Sequence, residues 1–323
     1  MVKANKIIFV LPIKRKNMRN KLFIVLVLIT IPTLLFSQRR TKYKSKRWKS
    51  YRYEFDMGIG GTNFLGDLGG ANQIGTNYFK DLEFSMTRLA VSAGMRYRLS
   101  PTIAIHPHIM YGKVAGDDKL TTEFFRSYRN LNFKSNIWEV NCNVEAFILK
   151  EQLGRKYKLR GVKGRKSFEV GMYLFAGIGA FRFNPKGEYE GAWYKLRPLH
   201  TEGQTFVETR KNYSRVQLCI PVGIGFKYNF DRRWGMTLEY GIRKTFTDYI
   251  DDVSKTYFDK NTLLSQENGA LAYALSDKSD NSYPGSTGAG QQRGDPRDKD
   301  AYMFAVFSVT YKLRTGRVNY PIF

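Results

Sequence analysis

The sequence predicts an all-β chain: an eight-stranded antiparallel transmembrane β-barrel of the bacterial outer membrane, with both termini periplasmic. Three observations carry this. Long stretches alternate strictly between apolar residues and residues that are small, polar or charged, as in "SRVQLCIPVGIGFKYNF" at 214–230. Successive side chains of a strand point to opposite faces, so such a stretch is greasy on one side only. The second face collects glycines together with charges of both signs. An apolar segment near the N-terminus, finally, reads as an export signal.

The elements follow in order. Lys14, Arg15, Lys16, Arg19 and Lys21 precede "LFIVLVLITIPTLLF" at 22–36, and Ser37–Gln38 follow. Charged, apolar and small in turn, this is a signal peptide over 1–37, with Met18 as the expected true start and Gln38 as the first mature residue. Its apolar run falls short of the ~20 residues that span a bilayer. A basic arm covers 38–50. The barrel covers 51–314, with strands expected at 50–60, 88–100, 102–112, 137–149, 167–181, 214–230, 233–246 and 301–313. Alternation blurs in the last of these at Phe304 and Val306. A tail of 315–323 closes the chain.

The chain has 323 residues, of which 42% are hydrophobic and 15% aromatic, with 29 glycines. A mean hydropathy of −0.42 excludes a bundle of membrane helices. A soluble barrel of the lipocalin kind would turn its apolar face inward. Here Gly171, Gly177, Gly179, Gly223, Gly225, Gly235 and Gly241 share the polar face, which suits the narrow interior of eight strands. Glu54, Asp56, Glu139, Glu145, Glu169 and Glu239 share it with Arg88, Arg96, Arg215, Lys227 and Arg243. A self-neutralising polar interior inside an apolar exterior is the pattern of a lipid-facing barrel, and it leaves no room for a pore.

An even strand number puts long loops outside, at 62–82, 115–132, 183–212 and 247–299, and short turns inside. The last loop includes a polar stretch, 279–300, expected to be mobile. The formal net charge of +25 is distributed unevenly. The inner turn 150–166 holds Lys150, Arg155, Lys156, Lys158, Arg160, Lys163, Arg165 and Lys166 against Glu151 alone. The arm adds Arg39, Arg40, Lys42, Lys44, Lys46, Arg47 and Lys49, and the C-terminus Lys312, Arg314 and Arg317. All of these fall on the periplasmic side. Two readings stay open: a solvated rim that touches lipid phosphates, or a docking face for an acidic periplasmic partner. Export removes nucleic acid from the partners.

The residues offer little for catalysis. His106 and His108 share an inward face and read as polar filling rather than metal ligands. His200, near Glu202, is the rim histidine that a hydrolytic barrel would use. "DYIDDVSKTYFD" at 248–259 lacks the glycine-centred spacing of an EF-hand and reads as loop packing. Cys142 and Cys219 face opposite sides of nonadjacent strands, so no disulfide is expected. No cofactor and no small-molecule substrate are implied.

"GTNFLGDLGG" (61–70), "RNLNFKSNIWEVNCNVEAFIL" (129–149), "FNPKG…WY…L…TEGQ" (183–204) and "RKTFTDYIDDVS" (243–254) occur in this order and span nearly all of the mature chain. The run resembles the PorG family, small outer-membrane barrels of the type IX secretion system. The resemblance implies a non-enzymatic protein that engages the periplasmic ring of the lipoprotein PorK with PorN. The ring would meet the basic residues Arg39, Arg40, Arg155, Lys156, Lys158, Arg160, Lys163, Arg165, Lys166, Arg314 and Arg317. A stand-alone structural or adhesin barrel, acting through its outer loops, is the alternative.

Overall fold

The computed structural model of the protein describes residues 46–68, 86–121, 123–151, 170–280, 282–283 and 285–315. The strands are β1 (Tyr53–Leu65), β2 (Arg88–Arg98), β3 (Ile103–Asp117), β4 (Asn132–Leu149), β5 (Gly171–Arg182), β6 (Pro185–Tyr189), β7 (Ala192–Lys195), β8 (Val216–Asn229), β9 (Trp234–Thr245) and β10 (Ala301–Leu313). Short helices α1 (Phe124–Arg129), α2 (Lys260–Leu264) and α3 (Gly269–Ser276) lie in the connections. No helix among the described residues is long and apolar enough to cross a membrane.

The ring runs β3-β2-β1-β10-β9-β8-β5-β4, and β4 pairs back onto β3. Every neighbouring pair is antiparallel, and β1 meets β10 with Tyr53 opposite Leu313. Closure leaves the ring no unpaired edge, as hydrocarbon requires of a sheet. The fold is thus the expected eight-stranded antiparallel barrel of the outer-membrane type. β1 begins and β10 ends at one end of it, where Thr315 donates its backbone N–H to the Ser50 carbonyl at 2.9 Å. We call this the tail end and the opposite one the capped end. The β2–β3 and β8–β9 connections at the tail end are tight, closed by backbone bonds onto Ile103 and Trp234.

Outward and inward faces fall as the alternation predicts. In β8, Leu218, Ile220, Val222 and Phe226 are exposed, whereas Cys219, Pro221, Gly225 and Lys227 are buried. The exposed side chains continue around the ring as Met57, Ile59, Leu89, Val91, Ile109, Val140, Val144, Ile178, Leu238, Phe307 and Val309. An apolar surface this continuous marks a membrane contact. Aromatic pairs flank it: Tyr53–Tyr97 and Trp234–Tyr311 toward the tail end, and Tyr111–Trp138 toward the other. Along β4, the outward run from Trp138 to Leu149 rises roughly 25–28 Å at ~3.3 Å per residue and a ~40–45° tilt, the height of an outer-membrane apolar band. Leu218, 64% exposed, sits in that band. Leu218→Arg is expected to cost about 2–4 kcal/mol if it lies near the midplane, read as a lower denaturant midpoint for folding into lipid vesicles. An unchanged midpoint would reverse the inside–outside assignment.

Room inside is made by glycine. A side chain at Gly225 would run into the Tyr173 ring, and one at Gly241 into the Phe175 ring. The lumen is less uniformly polar than its sequence suggests. Toward the capped end it is filled by Phe64, Val114, Phe133, Ile137, Phe181, Tyr302, Phe304 and Val306, continuous with Ile250 and Val253 of the loops. This is why alternation blurs in β10: Phe304 and Val306 face an apolar upper lumen while Ala305, Phe307 and Val309 face outward. Arg88 and Arg215, expected inside, stand at the capped rim instead, one exposed and the other half-buried.

Candidate functional site: a basic tail end, a sealed lumen and a braced cap

The described flanks of the three basic segments emerge together at the tail end. Arg314 follows β10 and is exposed, and Lys49 and Lys150 are exposed beside the starts of β1 and of the β4–β5 connection. Arg52 donates to the Tyr97 hydroxyl at 3.2 Å and lies 5.1 Å over the Trp48 ring. The signal segment 1–37, Gln38, Arg39, Arg40, Arg155, Lys156, Lys158, Arg160, Lys163, Arg165, Lys166 and Arg317 lie outside the described residues. One member of the expected basic face is reassigned. Lys312 is fully buried, and its Nζ lies 2.9 Å from Glu151 Oε2 and 2.7 Å from Asn229 Oδ1. The alternation had already set it on the inward face, one residue before the exposed Leu313.

Above that entrance the lumen holds an ionic network. Arg96 fans out to Glu54 at 2.6 Å, Glu145 at 2.5 Å and Glu239 at 3.0 Å, and reaches the Tyr173 hydroxyl at 3.2 Å. Lys227 pairs with Glu54, and Arg98 with Glu151. Higher up, Glu139 accepts from Tyr302 at 2.9 Å and lies 3.4 Å from Arg243. These side chains come from β1, β2, β4, β5, β8, β9 and β10, so the network ties the ring across its axis. The balance is close to one acid per base, as burying charge requires.

Both strand histidines belong to this filling. His106 bridges Asp56 and Glu145, each at 2.9 Å, and His108 lies against it with tilted rings, centroids 4.7 Å apart. The ligand atoms of His106, Glu145 and Glu239 lie within 4.8 Å of one another, a spacing that could hold a metal. The Arg96 guanidinium, however, is already bonded to both glutamates there, so an arginine takes the place of a cation. His200 borders Phe206, with ring centroids 6.2 Å apart, and not Glu202. Glu202 is committed to Arg293 at 3.0 Å and to the backbone N–H groups of Ser254 and Lys255. Cys142 is exposed on the outer face and Cys219 buried on the inner one, and both are free.

The capped end is built from the long loops. The described residues of the 247–299 stretch are folded, with 281 and 284 outside them: Asp259 caps α2 through Thr262 N–H at 2.8 Å, α3 packs Ala272 and Leu275 on Leu196 and Leu199 of the third loop, and in the portion expected to be mobile Gly290 and Arg293 donate their N–H groups to the Tyr257 and Lys255 carbonyls. Hydropathy missed this because the packing residues are few and widely spaced. Two buried arginines brace the loops. Arg129 chelates Asp118 at 2.8 and 3.0 Å and donates to the carbonyls of Asp67 and Arg293. Arg293 donates to Glu202 and to the carbonyls of Asp252 and Ser276. The "DYIDD" carboxylates serve packing, as expected: Asp248 accepts from Ser254 Oγ, Asp251 from Leu68 and Val253 N–H, and Asp252 from Thr201 and Tyr213 hydroxyls.

Burial, above all, raises these acids. Asp67 is pushed up to about 6 against the opposing pull of Arg129, Asp248 to about 7 and Asp252 to about 6. Asp251 and Asp300 go well above the ordinary value, each burdened by a neighbouring carboxylate as well. The folded cap therefore keeps protons that the unfolded chain has released by pH 5. The contribution of these five acids to its stability is fullest below pH ~4 and declines as pH rises through 6 to 7, by on the order of a few kcal/mol. Hydrogen exchange of the 247–254 amides should accelerate between pH 5 and pH 8 beyond the intrinsic chemical increase. Exchange that follows the intrinsic increase alone would refute the buried-acid account.

Solved structures similar to this chain are small barrels. One is Ail, the attachment invasion locus protein of Yersinia pestis, solved with the heparin analogue sucrose octasulfate: 8% identity, 81% of this chain and 99% of that one, TM-score 0.35. Others are neisserial surface protein A (8% identity, 80% and 96% covered, TM-score 0.36) and the N-terminal β-barrel domain of Pseudomonas aeruginosa OprF (8%, 81% and 98%, 0.31). No curated protein matches the chain. In sequence, residues 43–257 match the family described as domain of unknown function DUF6089. That match takes in most of the ring, from β1 through β9, and more than half of the chain, which belongs to the DUF6089 family.

Proposed function

We propose that the protein is a non-enzymatic outer-membrane component of type IX secretion, which holds the periplasmic ring of PorK and PorN against the membrane through its tail end. The signal segment delivers the chain across the inner membrane, and the tail end faces the periplasm. The arrangement of charge supports this reading. Lumen acids are matched by lumen bases, so the Lys/Arg-rich arm, turn and tail are not needed to balance the barrel, and their flanks gather at one end. Clustered Lys/Arg speed and orient the docking of an acidic partner, an effect that salt weakens. The sequence resemblance supplies the partner's identity.

Capture from mild, low-salt detergent extracts of outer membranes tests the proposal. The barrel should bring down the lipoprotein ring, and changing Lys156, Lys158, Arg160 and Lys163 together to Gln should reduce the yield several-fold, with added salt acting in the same direction. Recovery of the barrel alone under these conditions would favour the stand-alone reading. The braced outer loops are the feature that such an adhesin or structural role would use.

A further inference from the structure

Around the capped end, on the outward surface, lies a set of cations that neither the lumen nor the tail end employs. Arg182, Arg197 and Arg215 line a cleft of about 440 Å³ together with Ser214 and the lipid-facing Val216, with no carboxylate in its wall. Arg197 spends one N–H on the Tyr213 carbonyl at 2.8 Å. Among the described residues none of the three is paired with an acid. Next to them, Lys134 of β4 stands directly opposite Lys186 of β6. Like charges facing across a ladder repel, and Lys134 offsets part of that cost by resting its ammonium 3.6 Å over the Trp193 ring.

The height of this patch on the barrel identifies its ligand. Arg182 is the cross-strand partner of Trp138, and Trp138 pairs with Tyr111 in the aromatic girdle that ends the apolar band. Lys113 stands two residues beyond Tyr111 on the same face, and Lys134 four beyond Trp138. Immediately beyond an aromatic girdle lies the headgroup layer. Val216, 58% exposed, makes the lower lip of the cleft apolar. A soluble anion would gain nothing from that lip, whereas the acyl chains of a lipid would. Guanidinium groups suit phosphate in particular, since each offers two parallel N–H donors to its oxygens.

We propose that the outward cleft of Arg182, Arg197 and Arg215, flanked by Lys134 and Lys186, binds the phosphate groups of a phosphorylated glycolipid in the leaflet at the capped end. The test uses the full-length detergent-purified barrel and lipid A as the probe, with bound lipid counted by native mass spectrometry. Wild type should retain lipid A, and Arg182→Gln/Arg197→Gln/Arg215→Gln should weaken binding on the order of 100-fold, since each cation near an anionic surface contributes a several-fold factor. Lys134→Gln/Lys186→Gln should weaken it less, and Arg233→Gln in the exposed β8–β9 turn at the tail end should leave it unchanged. Retained heat-modifiable gel mobility shows that each variant is folded. The proposal is overturned if the triple variant holds as much lipid A as wild type, or if dephosphorylated lipid A binds equally well. It is also overturned, in favour of a soluble-anion site, if inorganic phosphate at the same concentration displaces the lipid.

Discussion

Arg96→Met should lower the stability of the barrel by about 3–5 kcal/mol, the usual cost of removing one partner from a buried ionic cluster. The side chain is fully buried, and three carboxylates converge on it. Methionine keeps much of the volume but withdraws every donor. Glu54 would retain Lys227, Glu145 would retain His106, and Glu239 would retain the Tyr173 hydroxyl. Each acid would thus keep one partner, and the lumen would carry one net negative charge more. Arg96→Lys should fall between the two, because a single ammonium cannot fan out to three carboxylates on different strands. Adding Glu145→Gln to Arg96→Met should return part of the loss, an interaction that a double-mutant cycle isolates. Urea titration of folding into lipid vesicles reads all of these. Equal midpoints for Arg96→Met and wild type would mean that the network is ornamental, and that aromatic packing alone closes the barrel.

The ring itself was legible because alternation, strand length and glycine placement are local signals that hydrocarbon enforces on every strand. Leu218 outward and Lys227 inward follow from the period of two alone. Lys312 shows that the same rule outweighs proximity: nearness to the C-terminus groups it with a basic tail, yet its place between Tyr311 and Leu313 turns it inward. Glu151, read as the lone acid of a basic turn, serves as the counter-charge for Arg98, Lys227 and Lys312. Nothing in a single segment reveals that, because its partners arrive from β2, β8 and β10. The cap was harder still. Leu196 and Leu199 pack on Ala272 and Leu275 across long sequence separations, and no short-range period records such contacts. Only the "DYIDD" packing role could be read in advance, from the absence of a cation-binding spacing.

Arg293→Met should release the cap without opening the barrel. The guanidinium is 3% exposed as a residue and holds Glu202, also buried, at 3.0 Å, together with two carbonyls from the same loop. Glu202 has no other cation among the described ion pairs, so the variant leaves a buried carboxylate supported only by neutral donors, the Ser254 and Lys255 N–H groups and the Tyr249 hydroxyl. That penalty is again about 3–5 kcal/mol, and it falls on loops rather than on the ladder. Regions of a protein open with separate free energies, and the strand-to-strand bonds of the ring do not pass through Arg293. Exchange protection of the 247–300 amides should therefore drop by two to three orders of magnitude, while the amides of β1 and β10 keep theirs. Protease should cut within 255–300, leaving a heat-modifiable barrel. Arg129 donates to the Arg293 backbone carbonyl, not to its side chain, so its clamp on Asp118 should survive and confine the opening to the third and fourth loops. Loss of protection throughout β1 and β10 would show instead that cap and barrel unfold as one unit, through the apolar column that runs from Phe304 to Val253.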